Sequence, residues 1–357
     1  MYIKEIKLMD FRNYETEKIE LNRNINLFYG DNAQGKTNIL EAIFIGAMGK
    51  SFRAKKDKEL ISLGKNMAKI EIVYQKSDRE GKIEIHIADK KEIFHNGIKV
   101  RKLSELLGNL NVVIFSPDDI EIIKEGPQTR RRFLNMMISQ LKPNYLYTLN
   151  LYNKTLEQRN NYLRQIRQEN KEEKLLEIWD EKLSDYASIL YQYRAQTVEK
   201  LKEKIKVIHK DITEGKEKIE LCYHSDCFNK EKYKEILKKN RQLDIIRGYT
   251  SKGIHRDDLT VLINDKEVQI YGSQGQQRTV ILSLKLAELY VVREEIGEEP
   301  ILLLDDFMSE LDEKRRKNFL NNITDTQVLI TATHKIVLEK LKFNIYNVKS
   351  GKITREM

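Results

Sequence analysis

Apolar and polar positions alternate through most of the first third of the chain. Tyr2, Lys4, Ile6 and Leu8 fall on one side of an extended segment and Ile3 and Lys7 on the other. The same period of two recurs at Ile70, Ile72 and Tyr74 and at Ile83, Ile85 and Ile87, which predicts antiparallel strands up to about Val113. Asn96-Gly97, between Ile93-Phe94 and Ile98-Val100, predicts a type I′ hairpin, because both central residues of that turn take positive φ.

The period changes at Ser116-Pro117-Asp118-Asp119, where Ser at the N-cap, Pro at N1 and an acid at N3 mark a helix start. Gly126-Pro127 ends that helix and opens another. Helical spacing then runs to about residue 215 through Leu146, Leu149, Tyr152 and Leu156, through Leu175, Ile178, Leu183, Tyr186, Leu190 and Tyr193, and through Leu201, Ile205 and Ile208. The charged run Asn170-Lys171-Glu172-Glu173-Lys174 reads as a solvated break. Strand character returns beyond about Gly253, at Leu259 to Ile263, Ile301 to Leu304 and Val328 to Ala332, and Val280, Ile281, Leu284, Ala287 and Val291 share one face of an intervening helix. The expected organisation is an α/β domain assembled from residues 1–117 and 253–357, with residues 118–252 inserted as a mainly helical lobe.

The strand pattern Ile25, Leu27, Tyr29 is followed by Gly30-Asp31-Asn32-Ala33-Gln34-Gly35-Lys36-Thr37 and then by a helical stretch, Asn38 to Ile43. This is G-x-x-x-x-G-K-[ST] in the strand–loop–helix setting that a phosphate-binding loop needs. Backbone N–H groups and a helix N-terminus would surround the phosphates, Lys36 would meet the β- and γ-phosphates, and Thr37 would complete a Mg²⁺ site, so ATP or a similar triphosphate is expected. Pro300-Ile301-Leu302-Leu303-Leu304-Asp305-Asp306 is a strand apolar on both faces that runs into two carboxylates. Asp305 is expected to hold Mg²⁺ through its water shell and Asp306 to orient or deprotonate the attacking water. An aspartate reaches about one methylene less than a glutamate, so turnover should be slow.

Charge and composition narrow the partners. The chain has 357 residues, with 64 Lys and Arg against 55 Asp and Glu, and a formal charge of +9 that favours polyanions. No apolar run approaches the roughly 20 residues of a membrane span. The first residues have no signal-peptide composition, and two cysteines are too few for a disulfide framework, so a cytoplasmic protein is expected. Cys222, His224 and Cys227 lack a second ligand pair at zinc spacing and read as ordinary thiols and a histidine. From Arg130 to Asn170 eight basic residues, among them Arg130, Arg131, Arg132, Arg159, Arg164 and Arg167, face only Glu157 and Glu169, and no base-reading motif accompanies them. They suit phosphate contacts to DNA, with lobe-bridging ion pairs as the other reading of Arg130 to Arg132.

Tyr271-Gly272-Ser273-Gln274-Gly275-Gln276-Gln277-Arg278 precedes a clear helix, with Ser273 at its N-cap. Placed between the phosphate loop and the Asp305 strand, this run resembles the signature motif of ABC-type ATPases. With Gly126-Pro127-Gln128-Thr129-Arg130-Arg131-Arg132-Phe133-Leu134, Gly253-Ile254-His255-Arg256-Asp257-Asp258-Leu259 and Leu303-Leu304-Asp305-Asp306-Phe307-Met308-Ser309-Glu310-Leu311-Asp312, nearly the whole chain resembles the RecF family of bacterial recombination mediators, relatives of the SMC heads. The resemblance implies a mixed sheet with a phosphate loop and an inserted helical lobe too short for coiled-coil arms. It implies ATP and Mg²⁺ as cofactors and an ATP-dependent homodimer in which Ser273, Gly275 and Gln276 meet the γ-phosphate held by the other subunit. Ser309 to Asp312 would be the D-loop and His334 a switch histidine. Arg12-Asn13-Tyr14 lies where related ATPases contact the nucleotide, with a structural turn as the alternative, and Arg53 has nucleotide, DNA and solvent as candidate partners. The implied function is a weak DNA-dependent ATPase that clamps double-stranded and single-stranded DNA at gaps, acting with RecO and RecR in repair, replication recovery and the SOS response. The rival is the nucleotide-binding subunit of an ABC transporter, which has the same nucleotide motifs.

Overall fold

The computed structural model describes residues 1–169, 171–307, 325–335 and 343–356. The chain forms two compact units, one of Met1–Asp119 with Val292–Met357 and the other of Ile120–Val291. The first segment contributes strands β1 (Tyr2–Phe11), β2 (Tyr14–Glu20) and β3 (Ile25–Tyr29), helix α1 (Lys36–Met48), strands β4 (Ala68–Lys76), β5 (Arg79–Ile87), β6 (Lys91–His95) and β7 (Ile98–Lys99), the short helix α2 (Leu103–Leu106) and strand β8 (Val112–Phe115). Six of these strands make an antiparallel sheet in the order β2-β1-β4-β5-β6-β7. Its register follows from the alternation, since Ile6 faces Ile72 and Ile72 faces Ile83, while Leu8 faces Ile70 and Ile70 faces Ile85. All six side chains are buried, and a one-residue slip would turn each row to solvent. Asn96 and Gly97 both have positive φ at the predicted hairpin. At the predicted helix start the Asp119 carboxylate accepts the Ser116 N–H at 2.8 Å, and Ser116 Oγ accepts the Asp118 N–H at 3.2 Å.

The second unit holds helices α3 (Glu121–Lys124), α4 (Pro127–Leu141), α5 (Pro143–Glu169) and α6 (Leu176–Ile212), strand β9 (Ile219–His224), helices α7 (Lys230–Lys239) and α8 (Arg241–Arg247), strands β10 (Asp258–Ile263) and β11 (Lys266–Glu267), helix α9 (Val268–Tyr271) and most of α10 (Gln274–Ile296). Helices α5 and α6, of 27 and 37 residues, pack along each other and reach only about 40 and 55 Å. Among the described residues the unit has no long coiled-coil arm.

One expectation is corrected here. The strand at Leu259 to Ile263 does not rejoin the first unit; it pairs antiparallel with β9 in a three-stranded sheet, β11-β10-β9, so residues 253–291 fall with the helices. The burial pattern gives the reason. Leu259, Val261 and Ile263 are buried and alternate with half-buried positions, as suits a one-faced antiparallel strand. Ile301 to Leu304, apolar and buried throughout, suits a sheet covered on both faces.

The returning chain supplies β12 (Ile301–Leu304), β13 (Val328–Ala332), β14 (Phe343–Lys349) and β15 (Lys352–Glu356). The second six-stranded sheet runs β15-β14-β3-β13-β12-β8, parallel except for the antiparallel edge strand β15. The phosphate loop, the two carboxylates and His334 therefore leave the same carboxyl edge, the customary ligand edge of an open parallel sheet. Ser309-Glu310-Leu311-Asp312 lies outside the described residues. Among those described, no helix is long and apolar enough to cross a membrane.

In the second unit His255 sits behind Gly253 with Nδ1 2.8 Å from the Tyr152 hydroxyl and Nε2 3.0 Å from the Thr250 carbonyl. The carbonyl takes only a donor, so Nε2 carries the proton and Nδ1 accepts from Tyr152. Burial is the main cause that moves the His255 pKa from 6.5 down to about 4. Because the folded pKa lies below the unfolded one, this increment of stability is complete above about pH 6.5 and is lost as pH falls toward 4, at most roughly 3 kcal/mol. Trp179, the only tryptophan and in contact with Tyr162, reports on this unit. The urea midpoint followed by its fluorescence should fall between pH 6.5 and 4, and His255→Asn should flatten that fall; equal slopes would refute the assignment.

Candidate functional site

The phosphate loop is set by three neighbours. Gly35 takes φ 114°, and a Cβ there would lie 2.6 Å from Asn13 Nδ2, so glycine is required on both counts. Asn13 donates to the Gln34 carbonyl at 2.8 Å and accepts from Asn38 at 2.8 Å, and the buried Tyr14 hydroxyl donates to the Gly35 carbonyl at 3.0 Å. Lys36 curls across the loop, with Nζ 2.6 Å from the Gly30 carbonyl and 2.8 Å from that of Asp31. Burial lowers its pKa against the opposing pull of Asp306, Asp305 and Asp31.

Arg12 is held within its own unit. Its guanidinium forms a two-pronged pair with Glu41 of α1 at 2.8 and 2.7 Å and donates to the Glu59 carbonyl at 2.9 Å. Glu41 is fully buried and also accepts from Ser51 Oγ at 2.5 Å. The Arg12-Asn13-Tyr14 turn thus braces the loop and its helix. Ser51 Oγ in turn accepts the Arg53 and Ala54 N–H groups at 2.9 and 2.7 Å. Arg53 is exposed, stands 3.5 Å from Asn38 Oδ1, and lies near enough to Asp305 to favour its ionised form.

At the strand ends Thr37 Oγ1 donates to Asp305 Oδ1 at 2.7 Å and Thr331 Oγ1 donates to the same oxygen at 2.8 Å. Thr331 also accepts the Asp306 N–H at 2.9 Å. Burial raises the Asp305 pKa, and the two hydroxyls and Arg53 oppose the rise. Sequence reasoning passed over Thr331 because nothing in its spacing marks it; its role comes from the pairing of β13 with β12. His334 is exposed and shares a cavity of about 340 Å³ with Gly30, Asp31, Gln34, Lys335 and Lys349. Asn32 and Ala33 complete the exposed tip of the loop.

In the second unit Ser273 and Gln276 cap the start of α10 reciprocally: the Gln276 N–H reaches Ser273 Oγ at 3.2 Å, and the Ser273 N–H reaches Gln276 Oε1 at 3.0 Å. Ser273 and Gly275 are exposed, whereas the Gln276 side chain turns inward and donates to Glu217 at 2.9 Å. Glu217 was not found from the sequence.

The basic run divides. Arg130, 4% exposed, forms a two-pronged pair with Asp258 at 2.7 and 3.0 Å and donates to the Glu125 carbonyl at 2.8 Å. Arg131 donates to the Asp257 carbonyl at 2.8 Å. Arg159 is fully buried between Asp180 at 2.7 Å and Asp244 at 2.9 Å. The expected DNA contacts of Arg130 and Arg131, and the placing of Arg159 on that face, are therefore corrected. These guanidiniums sit against carboxylates or carbonyls of their own unit, where burial demands a partner. Arg132, Arg164 and Arg167 are exposed. Cys227 is buried, its thiol pKa pushed up by burial, and His224 pairs with Thr260 at 2.6 Å.

Two six-stranded sheets, a phosphate loop on the carboxyl edge of one of them and an inserted, mainly helical unit define the chain as an ABC-type ATPase head of the SMC kind. The model of the RecF/RecN/SMC N-terminal domain matches residues 2–354. Clostridium kluyveri DNA replication and repair protein RecF is 46% identical over 99% of this chain and 100% of its own. The Clostridium acetobutylicum protein of the same name is 45% identical over 99% of each. A solved structure of the recombination mediator protein RecF with ATP, in the RecFOR pathway, superposes with TM-score 0.94 at 41% identity, over 100% of this chain and 98% of that one. The Smc head from Pyrococcus furiosus, at 16% identity and TM-score 0.57, shares the fold. The chain belongs to the RecF family of DNA replication and repair proteins.

The Arg12–Glu41 pair gives a stability test. Glu41→Gln keeps the volume and leaves Arg12 without its counter-charge, which should cost the first unit about 3 kcal/mol in urea denaturation. A loss below about 0.5 kcal/mol, the level of an ordinary surface substitution, would remove the brace from the account.

Proposed function

We propose that this chain is an ATP-dependent DNA-binding protein of recombinational repair, working as a slow switch. ATP closes two copies on DNA and hydrolysis reopens them. The observation that carries the reading is the meeting of Thr37 and Asp305 beside the phosphate loop, in a chain whose relatives include the ATP-bound RecF structure. The Thr37 hydroxyl and the Asp305 carboxylate are hard oxygen donors of the kind Mg²⁺ takes, and they stand 2.7 Å apart. Bound there, Mg²⁺ would neutralise charge on the β- and γ-phosphates. Lys36 supplies a cation to the γ-phosphate, Arg53 a second from the loop after α1, and Asp306 takes the proton of the attacking water or orients it. Ser273 and the N-terminus of α10 complete the site from a second copy. On this reading the DNA is met at gaps and single-strand/double-strand junctions, with RecO and RecR as partners in replication recovery and the SOS response; relatives named for replication and repair and a RecF structure of the RecFOR pathway support it. The transporter reading is disfavoured by relatives named for replication and repair along the whole chain.

Lys36→Met should abolish ATP binding with the fold retained, and Asp306→Asn should bind ATP normally while turnover falls about 10²-fold or more. Single-turnover hydrolysis with a filter-binding control checks both; Asp306→Asn turnover within twofold of the parent would remove Asp306 from the chemistry.

On the DNA side, Arg164 and Arg167 are the exposed arginines of α5. Reversal of both to Glu should weaken duplex binding for all sequences alike and flatten its dependence on log[salt] by roughly one unit per lost phosphate contact. ATP-driven dimerisation should be unchanged. Parental affinity and slope would move the DNA surface elsewhere, with Arg53, Lys55 and Lys56 the next residues to reverse.

A further inference from the structure

Gln276 stands in the signature run, yet its side chain works inside its own unit. Its carbonyl accepts the Ser273 N–H at 3.0 Å and its amide donates to Glu217 Oε1 at 2.9 Å. The other Glu217 oxygen is 3.3 Å from Nε2 of the fully buried His209, whose Nδ1 is 2.9 Å from Ser283 Oγ. His209 lies in the last turn of α6 and Ser283 in the third turn of α10. Ser283, His209, Glu217, Gln276 and Ser273 therefore follow one another in space from the third turn of α10, past the last turn of α6, to the residue that caps α10.

We propose that Glu217 is a positioning residue for Ser273: it fixes the Gln276 amide, and through it the exposed serine, in the geometry needed to meet the nucleotide of a second copy. The proposal rests on the reading of Ser273 given above. The mechanism is preorganisation. An amide with two conformers of similar energy would present its carbonyl or its nitrogen to the Ser273 N–H, and only the carbonyl supports the cap. A carboxylate beside the amide admits only the orientation that donates to it. The signature loop then enters the dimer already ordered, and the ordering entropy is not subtracted from association.

The test is ATP-driven dimerisation in equilibrium sedimentation, with ATP affinity of the monomer and thermal midpoint measured in parallel. Glu217→Ala should weaken dimerisation about tenfold while monomer ATP affinity stays unchanged. Gln276→Glu, which sets two carboxylates together, should weaken it at least as much. The double variant Glu217→Gln with Gln276→Glu restores one donor and one acceptor across the pair and leaves a carboxylate to accept the Ser273 N–H. Dimerisation should return to within about threefold of the parent, a recovery that general damage to the unit would not allow. Parental dimerisation by Glu217→Ala, or a double variant no better than Gln276→Glu alone, overturns the proposal. Ser273→Arg separates the two levels. If it dimerises like the parent, the composite-site reading fails and the proposal with it; if it blocks dimerisation while Glu217→Ala does not, only the role of Glu217 is wrong.

Discussion

Two hydroxyls from different elements converge on one buried carboxylate oxygen, and the nucleotide edge of the first unit is organised around that meeting. Thr37 belongs to α1, Asp305 directly follows β12 and Thr331 lies in β13, so the oxygen ties the loop helix to two adjacent parallel strands. A buried carboxylate without donors would protonate or unfold its surroundings. Here two short hydrogen bonds and the nearby Arg53 charge offset that cost. The same contacts make the site sensitive to register. A one-residue slip of β13 against β12 would turn Thr331 to the opposite face and leave both the Asp305 carboxylate and the Asp306 N–H short of a partner.

The second unit solves a different problem with the same chemistry. Two of its buried arginines, Arg159 and Arg194, each meet carboxylate and neutral acceptors: Arg194 binds Asp257 at 2.7 Å, the Ile254 carbonyl at 2.8 Å and the Tyr145 hydroxyl at 2.9 Å. Asp257 and Asp258 thus take three arginines, Arg130 and Arg194 through their carboxylates and Arg131 through the Asp257 carbonyl. The block from Gly126 to Leu134 and the block from Gly253 to Leu259 clasp each other, which explains why Arg130 is buried and Arg131 half-buried in a run that reads as a polyanion surface. Such pairs add little over an apolar core, but removing one partner leaves a buried charge alone, typically a loss of about 3–5 kcal/mol.

What was legible in the sequence was whatever is encoded locally. The phosphate loop, the Asn96-Gly97 hairpin, the helix start after Ser116 and the apolar strand before Asp305 each depend on residues within a few positions of one another. What was not legible depended on distant partners. Strand β9 is a short alternation with no turn signal tying it to β10, and without it Leu259 to Ile263 looked like a return to the first sheet. Arg130 and Arg164 are the same letter in the same basic stretch, and only Asp258, 128 residues away, distinguishes the buried one from the exposed one. Glu217 has no motif at all; its meaning appears only when Gln276 is seen beside it.

The aspartate at 306 also becomes intelligible through its backbone. Asp306 takes φ 48°, in the left-handed region that Asp and Asn tolerate better than other side chains bearing a Cβ. That turn lets its N–H reach Thr331 Oγ1, which in the same step is donating to Asp305. A longer acid here would extend its carboxylate further toward a water, but it would sit less comfortably in this conformation and would weaken the turn that aligns Thr331. Precision in the Asp305 site and reach at position 306 are therefore in conflict, and this chain has resolved the conflict in favour of the first. A protein whose output is the lifetime of a closed state on DNA has no use for rapid turnover, so on the proposed reading the short acid serves both the backbone and the clock.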